Sequence, residues 1–169
     1  RRFNGLYGET FIEPKEIILK EGARIMGLDD PMKKMSKSAE NSNNYIALTD
    51  EPSLIKEKIK RAVTDSGNEI IYDEEKKPGI SNLLEIYSLL SDKPIKQLEK
   101  EYQNKNYGEF KNDLAGVVIA FLTPFQKEFN KLKENPEKVK KILKNGAEKA
   151  NIIAEKTLKE VKDKIGLNY

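Results

Sequence analysis

Cysteine and histidine are both absent from the 169 residues of this chain. Without cysteine the chain cannot form disulfides or cysteine-based zinc sites, and without histidine it lacks the most common transition-metal ligand. The sequence also has no run of about 18 consecutive apolar residues, the length that a membrane-spanning helix requires, and no secretory leader pattern. We therefore expect no metal site, no membrane partner and a cytoplasmic location.

The net charge of the chain is only +3, although 35% of its residues are charged. The positive excess is concentrated in residues 131–164, which contain eleven lysines and six acidic residues. A surface of this composition attracts phosphodiesters through the release of their counterions. A lysine-rich helix that is simply solvated has the same composition, so the pattern assigns no role to an individual lysine.

A short polar loop near the N-terminus carries the most distinctive motif of the chain, Lys34-Met35-Ser36-Lys37-Ser38. Its two ammonium groups lie three positions apart, and flexible lysine side chains can follow negative charge as it develops on departing pyrophosphate. The serines offer small hydroxyl donors and acceptors, and the methionine offers an apolar anchor. In so charged a chain, a loop with two lysines is also often only a solvated surface.

From residue 49 onward, apolar residues recur at the three- and four-residue spacing of amphipathic helices. Prolines at the start of several apolar stripes favour the first helical turn, where no backbone donor is needed. The predicted helices begin close to Pro52, Pro78, Ile95, Tyr107 and Pro136. They are expected to form a bundle of about five helices with a common core.

The longest stripe runs over residues 107–132 and contains four phenylalanines, Phe110, Phe121, Phe125 and Phe129. Aromatic side chains at helical spacing are more often core residues than stacking platforms, so we expect all four to be buried. Pro124 lies inside the same stripe and is expected to bend the helix, because it cannot donate a hydrogen bond to the preceding turn.

Residues 1–30 lack this helical spacing. Two short apolar segments, Ile17-Ile18-Leu19 and Ile25-Met26, are bounded by glycine or charged residues, a pattern typical of strands and loops. We interpret them as the last strands of a parallel sheet whose other strands are absent from the chain, so that they fray or dock onto the helices.

Several further motifs occur in one enzyme family in the same order. They are Gly22-Ala23-Arg24-Ile25-Met26-Gly27-Leu28, Asp30-Pro31-Met32-Lys33, Ala62-Val63-Thr64-Asp65, the stretch from Lys77 to Leu84, and Gly146-Ala147-Glu148-Lys149-Ala150. The Lys-Met-Ser-Lys-Ser run resembles the second signature of class I aminoacyl-tRNA synthetases. Together these motifs are similar to bacterial-type tryptophanyl-tRNA synthetases over essentially the whole chain, and the Lys77 to Leu84 motif disfavours tyrosyl specificity.

The resemblance implies a mainly α fold, in which residues 1–48 are the end of a Rossmann-like α/β catalytic domain with the Lys-Met-Ser-Lys-Ser loop. Residues 49–169 would be a helical bundle that binds the anticodon region of tRNA. The first signature of the family contains histidine, which the chain lacks, so we expect a C-terminal fragment. The intact parent is expected to be a homodimer whose tryptophan pocket lies mostly outside this chain.

The resemblance also implies activation of L-tryptophan by ATP to tryptophanyl-adenylate, with Mg²⁺ assisting, and transfer to tRNA(Trp). Lys34 and Lys37 would be catalytic and would stabilise the departing pyrophosphate. The implied ATP-binding residues are Ile25, through its backbone, and Lys34, Met35, Ser36, Lys37 and Ser38. The fragment alone is expected to be inactive, because the site needs both of its halves in position.

A different class of function explains the helical spacing and the lysine-rich end equally well, namely a free-standing helical RNA-binding or protein-interaction module without catalysis. The loop lysines discriminate between the two, because only a synthetase loses activity when they are replaced. The adjacent carboxylates of Asp29 and Asp30 could be taken for a metal pair, but we expect them to form the turn before the loop.

Overall fold

The computed structural model of the chain describes residues 1–18 and 22–167. Its helices within those residues are α1 (Arg2–Tyr7), α2 (Pro52–Arg61), α3 (Pro78–Ser91), α4 (Ile95–Glu101), α5 (Tyr107–Lys133) and α6 (Pro136–Ile165), and a 3₁₀ turn spans Ser42–Asn44. No β-strand occurs in the described ranges, which confirms the predicted mainly α character. None of the described helices combines the length and the apolar character that a bilayer crossing requires.

The helices predicted from residue 49 onward are present, and their ends follow the local sequence. Proline occupies the first turn of α2, α3 and α6, where its missing N–H costs no hydrogen bond. Asn135 caps α6 by accepting the N–H of Lys138 at 3.0 Å. Gly166 ends the same helix with a φ of 75°, a left-handed conformation that glycine adopts without strain.

The chain divides into two compact units, one of Arg1–Ile17 with Phe129–Tyr169 and the other of Ile18–Glu128. The apolar core lies within the second unit and includes residues of α2, α3, α4 and α5. Its largest fully buried side chains are Leu28, Ile55, Ile59, Ile80, Leu83, Leu84, Leu98, Phe110 and Leu114. The domain boundary predicted between residues 48 and 49 stays a prediction.

Aromatic rings and hydroxyl groups join α3 to α5 inside this core. The hydroxyl oxygens of Tyr87 and Tyr102 lie 2.9 Å apart, and the Tyr102 hydroxyl donates to Asp113 Oδ2 at 2.8 Å. The ring of Tyr102 meets Phe110 edge to face, with centroids 5.0 Å apart. Burial and the two hydrogen bonds raise the pKa of Tyr102, so the hydroxyl keeps its proton and remains a donor.

The strands predicted in the first 30 residues are not formed where the structure describes them. Ile17 and Ile18 have no regular structure and are 92% and 70% exposed, and Leu19 lies outside the described residues. Met26 forms only an isolated antiparallel bridge with Lys34. A strand needs a neighbour for its backbone hydrogen bonds, and the backbone of Met26 pairs instead with the side chain of Asn82.

The prediction that all four phenylalanines of α5 are buried is wrong for three of them. Phe110 is fully buried, but Phe121, Phe125 and Phe129 are 58%, 45% and 41% exposed. Phe121 follows the buried Leu114 by seven residues, or about two turns, so both lie on the same helix face. The buried part of that face ends at residue 122, and the helix continues beyond the core. Similarly, α6 forms as predicted, but none of its residues is buried.

Candidate functional site

The Lys-Met-Ser-Lys-Ser motif forms a loop, residues 34–38, which we call the signature loop. Its first residues pair with the segment before them, because Met35 N–H donates to Ile25 O at 3.0 Å and Gly27 N–H donates to Lys33 O at 2.8 Å. These two bonds make a short hairpin-like stem that leads into the loop.

Asp30 forms the turn that closes this stem. Its carboxylate pairs with the Lys33 ammonium at 3.0 Å and accepts the N–H of Met32 at 3.0 Å, and these two contacts lower the pKa of Asp30. The neighbouring carboxylate of Asp29 accepts two side-chain amide N–H groups. The turn-forming role predicted for Asp30 is confirmed. No cluster of three or more acidic side chains that could hold a metal ion occurs among the described residues.

A buried asparagine of α3 holds the stem. Asn82 accepts the N–H of Met26 at 2.8 Å and donates to Met26 O at 2.9 Å, so its side chain takes the place of a neighbouring strand. Asn82 is only 4% exposed, and each of its two bonds satisfies a polar group on both partners. The stem of the signature loop is therefore tied to a helix of the core.

A second buried asparagine, Asn44, holds the signature loop itself. Its Oδ1 accepts the N–H of Ser36 at 2.9 Å, and its Nδ2 donates to Asp29 Oδ1 at 2.5 Å. Its backbone carbonyl accepts the N–H of Leu28 at 2.9 Å. Gly27 leaves room for this side chain, because a Cβ atom there would lie 2.1 Å from Asn44 Nδ2.

A buried ion pair fixes the chain that follows the loop. Lys58 of α2 pairs with Asp50 Oδ2 at 2.6 Å and donates to Tyr45 O at 2.9 Å, and the two charged side chains are only 3% and 12% exposed. Asp50 Oδ2 also accepts the N–H of Ala47 at 2.9 Å. Both sides of the signature loop are therefore held by buried polar groups, and this role was not predicted from the sequence for any of them.

The two lysines predicted to be catalytic are not held by the protein. Lys34 and Lys37 are exposed, and neither ammonium forms a hydrogen bond or ion pair with any part of the chain that the structure describes. Ser38 is also exposed, and its N–H donates to Ser36 Oγ at 3.2 Å. The structure thus presents two uncompensated cations on a firmly anchored loop, an arrangement that suits the binding of a polyanion.

The other two predicted ATP-binding residues, Ile25 and Met35, are half-buried and adjoin each other through their backbone bond. Their side chains line an apolar cavity of about 320 Å³. The other lining residues are Ile46, Leu48, Ile86, Leu89, Leu90, Val118, Phe121 and Leu122. In the structure the predicted lysines are therefore exposed to solvent, whereas the side chains of Ile25 and Met35 line the same apolar cavity.

A second cavity, of about 420 Å³, adjoins the stem. Its polar lining includes Arg24 and a hydrogen-bonded group in which the Tyr72 hydroxyl contacts Glu74 and lies 2.8 Å from Glu85 Oε1. Burial and the two carboxylates raise the pKa of Tyr72. Neither predicted catalytic lysine lines this cavity, so it lies outside the predicted site.

A family model described as tRNA synthetases class I (W and Y) matches residues 1–123. This range is most of the chain, and it contains the signature loop, its stem and both buried asparagines. The chain therefore belongs to this family of class I tRNA synthetases.

The individual relatives described next are named as tRNA ligases for one amino acid, tryptophan. The chain is 51% identical over 166 residues to the tryptophan–tRNA ligase of Bacillus subtilis, an alignment that covers 98% of this chain and 50% of the relative. It is 50% identical over 167 residues to the tryptophan–tRNA ligase of Caldanaerobacter subterraneus, covering 99% of this chain and 50% of that protein. The chain thus spans about half the length of the curated relatives it matches.

Solved structures agree with these relatives. The crystal structure of tryptophanyl-tRNA synthetase from Mycoplasma pneumoniae superposes with a TM-score of 0.88 at 32% identity, over 99% of this chain and 50% of that chain. The Campylobacter jejuni enzyme, complexed with ADP and tryptophan, gives a TM-score of 0.69 at 32% identity, over 98% of this chain and 50% of that chain. The family resemblance drawn from the motifs is confirmed, and a free-standing helical module is not favoured.

Proposed function

We propose that the chain supplies the signature loop and the helical tRNA-binding part of a tryptophan–tRNA ligase. This enzyme would activate tryptophan with ATP to tryptophanyl-adenylate and then transfer it to tRNA(Trp). The observation that carries the proposal is the pair of exposed ammonium groups, Lys34 and Lys37, on an anchored loop in a chain of this family. Similarity to proteins named tryptophan–tRNA ligase supports tryptophan as the amino acid.

In the proposed reaction, Lys34 and Lys37 stabilise the negative charge that develops on pyrophosphate as it leaves. Each ammonium offers three donors on a flexible stem, and no acceptor within the described residues competes for them, so both can follow the phosphate oxygens. The remaining proposed ATP-binding residues are Ile25, Met35, Ser36 and Ser38.

Magnesium belongs to the proposal only together with bound ATP. The adjacent carboxylates of Asp29 and Asp30 are already engaged by amide donors and by Lys33, so they do not fit a dedicated magnesium site. Mg²⁺ commonly keeps several waters and binds through substrate phosphates. No step of the proposed reaction therefore requires a magnesium ion held by this chain alone.

The proposed division of the chain into two domains is the one predicted from the sequence. Residues 1–48 would belong to a Rossmann-like catalytic domain, and residues 49–169 would form the helical domain that binds the anticodon region of tRNA. The tryptophan pocket would lie mostly in the half of the relatives that this chain does not match. A homodimeric assembly and a cytoplasmic location are parts of the same proposal.

The activity is tested with a chimera in which this chain replaces the matching half of the Bacillus subtilis enzyme. We expect the chimera to catalyse tryptophan-dependent exchange between ATP and pyrophosphate. The chain alone is expected to show no exchange, because the transition state needs both halves of the site in position. A folded chimera without exchange, or with exchange that depends on tyrosine, would contradict the proposed function, and turnover by the chain alone would contradict the need for both halves.

The lysines of α6 provide a prediction for tRNA binding. Lys141 and Lys159 are exposed and lie about five turns apart, so they share a helix face. Replacing both by glutamine is expected to weaken the binding of a tRNA(Trp) transcript about tenfold at low salt and to flatten its salt dependence, because each phosphate contact releases a counterion. Fluorescence anisotropy at about 50 mM and about 200 mM salt measures both effects.

The matched control for this experiment replaces two exposed lysines of α4, Lys96 and Lys100, by glutamine. This control removes the same charge from a different surface and is expected to bind tRNA as the unaltered chain does. An affinity that is equal at both salt concentrations, or an equal loss in the two double variants, would argue against a tRNA-binding face on α6.

A further inference from the structure

Asn44 is the point at which the signature loop meets the residues before and after it. The residue is only 5% exposed, and it forms hydrogen bonds with Ser36, Asp29, Leu28 and Asn41. Two of these bonds use the side-chain amide, one through each of its polar atoms. Because Asn44 is buried, a change that breaks either bond leaves an atom of its amide without a substitute from solvent.

The chemistry of its neighbours fixes the orientation of the Asn44 amide. The carboxylate of Asp29 only accepts, so it faces the Nδ2 donor, and the N–H of Ser36 only donates, so it faces Oδ1. Asn41 donates to the other oxygen of Asp29 at 2.7 Å and so holds the carboxylate in position. The side chains of Asn41, Asp29 and Asn44 thus form a chain of hydrogen bonds that ends on the backbone of the signature loop.

We infer that Asn44 and Asp29 form a positioning pair that determines where the signature loop presents Lys34 and Lys37. The inference rests on the proposed function of those two lysines. Ser36 lies between them in the sequence, and its N–H is bonded to Asn44, so a displacement of Asn44 carries both ammonium groups with it. A displacement of about 1 Å in a catalytic group can lower a rate about 100-fold.

The pair can be broken and then restored with substitutions that keep the side-chain shape. Asn44→Asp retains an acceptor for the Ser36 N–H but places a second carboxylate against Asp29, at a contact that is 2.5 Å long in the native chain. Adding Asp29→Asn places an amide donor at position 29 opposite the carboxylate at position 44, so the native hydrogen bond is restored with its direction reversed. The amide oxygen at position 29 can still accept the bond from Asn41. Asn43→Asp is the matched control. Within the described residues the side chain of Asn43 forms no hydrogen bond, and only its backbone N–H is bonded to a side chain, at Asn41 Oδ1.

Hydrogen exchange of the Ser36 amide, measured by NMR on the purified chain, tests the positioning directly. Asn44→Asp is expected to raise this exchange rate about tenfold, because repulsion from Asp29 displaces the side chain at position 44 and weakens its bond to the Ser36 N–H. The double variant Asp29→Asn/Asn44→Asp is expected to return to within about threefold of the native rate, and Asn43→Asp is expected to match the native chain. If Asn44→Asp does not fold, Asp29→Ala replaces it with the same expected increase.

The kinetic consequence is measured in the Bacillus subtilis chimera. Asn44→Asp is expected to lower kcat for ATP–pyrophosphate exchange about tenfold or more with a smaller change in KM for ATP, because a misplaced lysine loses contact mainly in the transition state. The double variant is expected to recover kcat. Native exchange rates in Asn44→Asp, or a double variant as impaired as Asn44→Asp, would overturn the inference. If the chimera with the unaltered chain is inactive, the proposed function fails. The Ser36 exchange rate alone then tests whether Asn44 and Asp29 position the signature loop.

Discussion

Replacement of Lys34 or Lys37 by alanine is expected to lower kcat for ATP–pyrophosphate exchange about 100-fold or more in the chimera with the Bacillus subtilis half. Each ammonium is proposed to meet charge that appears on pyrophosphate only as it departs, so its loss raises the barrier more than it weakens ATP binding. KM for ATP is therefore expected to change far less than kcat. Steady-state exchange kinetics, with ATP varied at saturating tryptophan, separate the two constants.

The control for this loss is Lys76→Ala, which removes an exposed lysine whose ammonium has no described partner. It is expected to leave exchange unchanged. Lys34→Ala and Lys37→Ala are also expected to leave the free energy of unfolding within about 0.5 kcal/mol of the native value, because both side chains are exposed and unpaired in the described structure. Exchange within a few-fold of the native rate in both alanine variants would contradict the catalytic role of these lysines.

The largest expected effect on stability comes from Lys58, which no part of the proposed chemistry uses. Lys58→Met is expected to lower the free energy of unfolding of the Ile18–Glu128 unit by about 3–5 kcal/mol, because it leaves the carboxylate of Asp50 largely buried without its cation. The same change removes the hydrogen bond to Tyr45 O. Urea unfolding at neutral pH, followed by circular dichroism, measures the difference.

Two further variants show whether the effect belongs to the ion pair. Lys60→Met changes an exposed lysine of the same helix and is expected to stay within about 0.5 kcal/mol of the native chain. Lys58→Met combined with Asp50→Asn removes both charges and is expected to recover most of the loss, since the unpaired buried charge is the main cost. A Lys58→Met variant as stable as Lys60→Met would show that the pair contributes little.

The sequence was sufficient to predict the helices that follow residue 49. Proline in the first turn and apolar residues at helical spacing are local signals, and they place the starts of α2, α3 and α6 correctly. The short helix α1 was not predicted, because its six residues are too few to show a helical period.

The polar groups that hold the signature loop could not be predicted in the same way. Asn44 belongs to an asparagine-rich run that is typical of a loop, and Lys58 lies among exposed lysines of an amphipathic helix. Their burial depends on acceptors elsewhere in the chain, such as Asp29 and Asp50, and spacing within one segment carries no information about such partners. The exposure of three phenylalanines of α5 could not be predicted for a similar reason. Periodicity shows which face of a helix is apolar, but it does not show how far along the helix other residues cover that face.

The pair of hydrogen bonds between Asn82 and Met26 has a consequence for the order of folding. These residues are separated by 56 positions, so the two bonds between Asn82 and Met26 form only after α3 has taken its place, and closing so long a loop costs conformational entropy. The attachment of the stem to α3 should therefore be a late step in the folding of its unit. The same two bonds can also open locally while the core behind them stays intact.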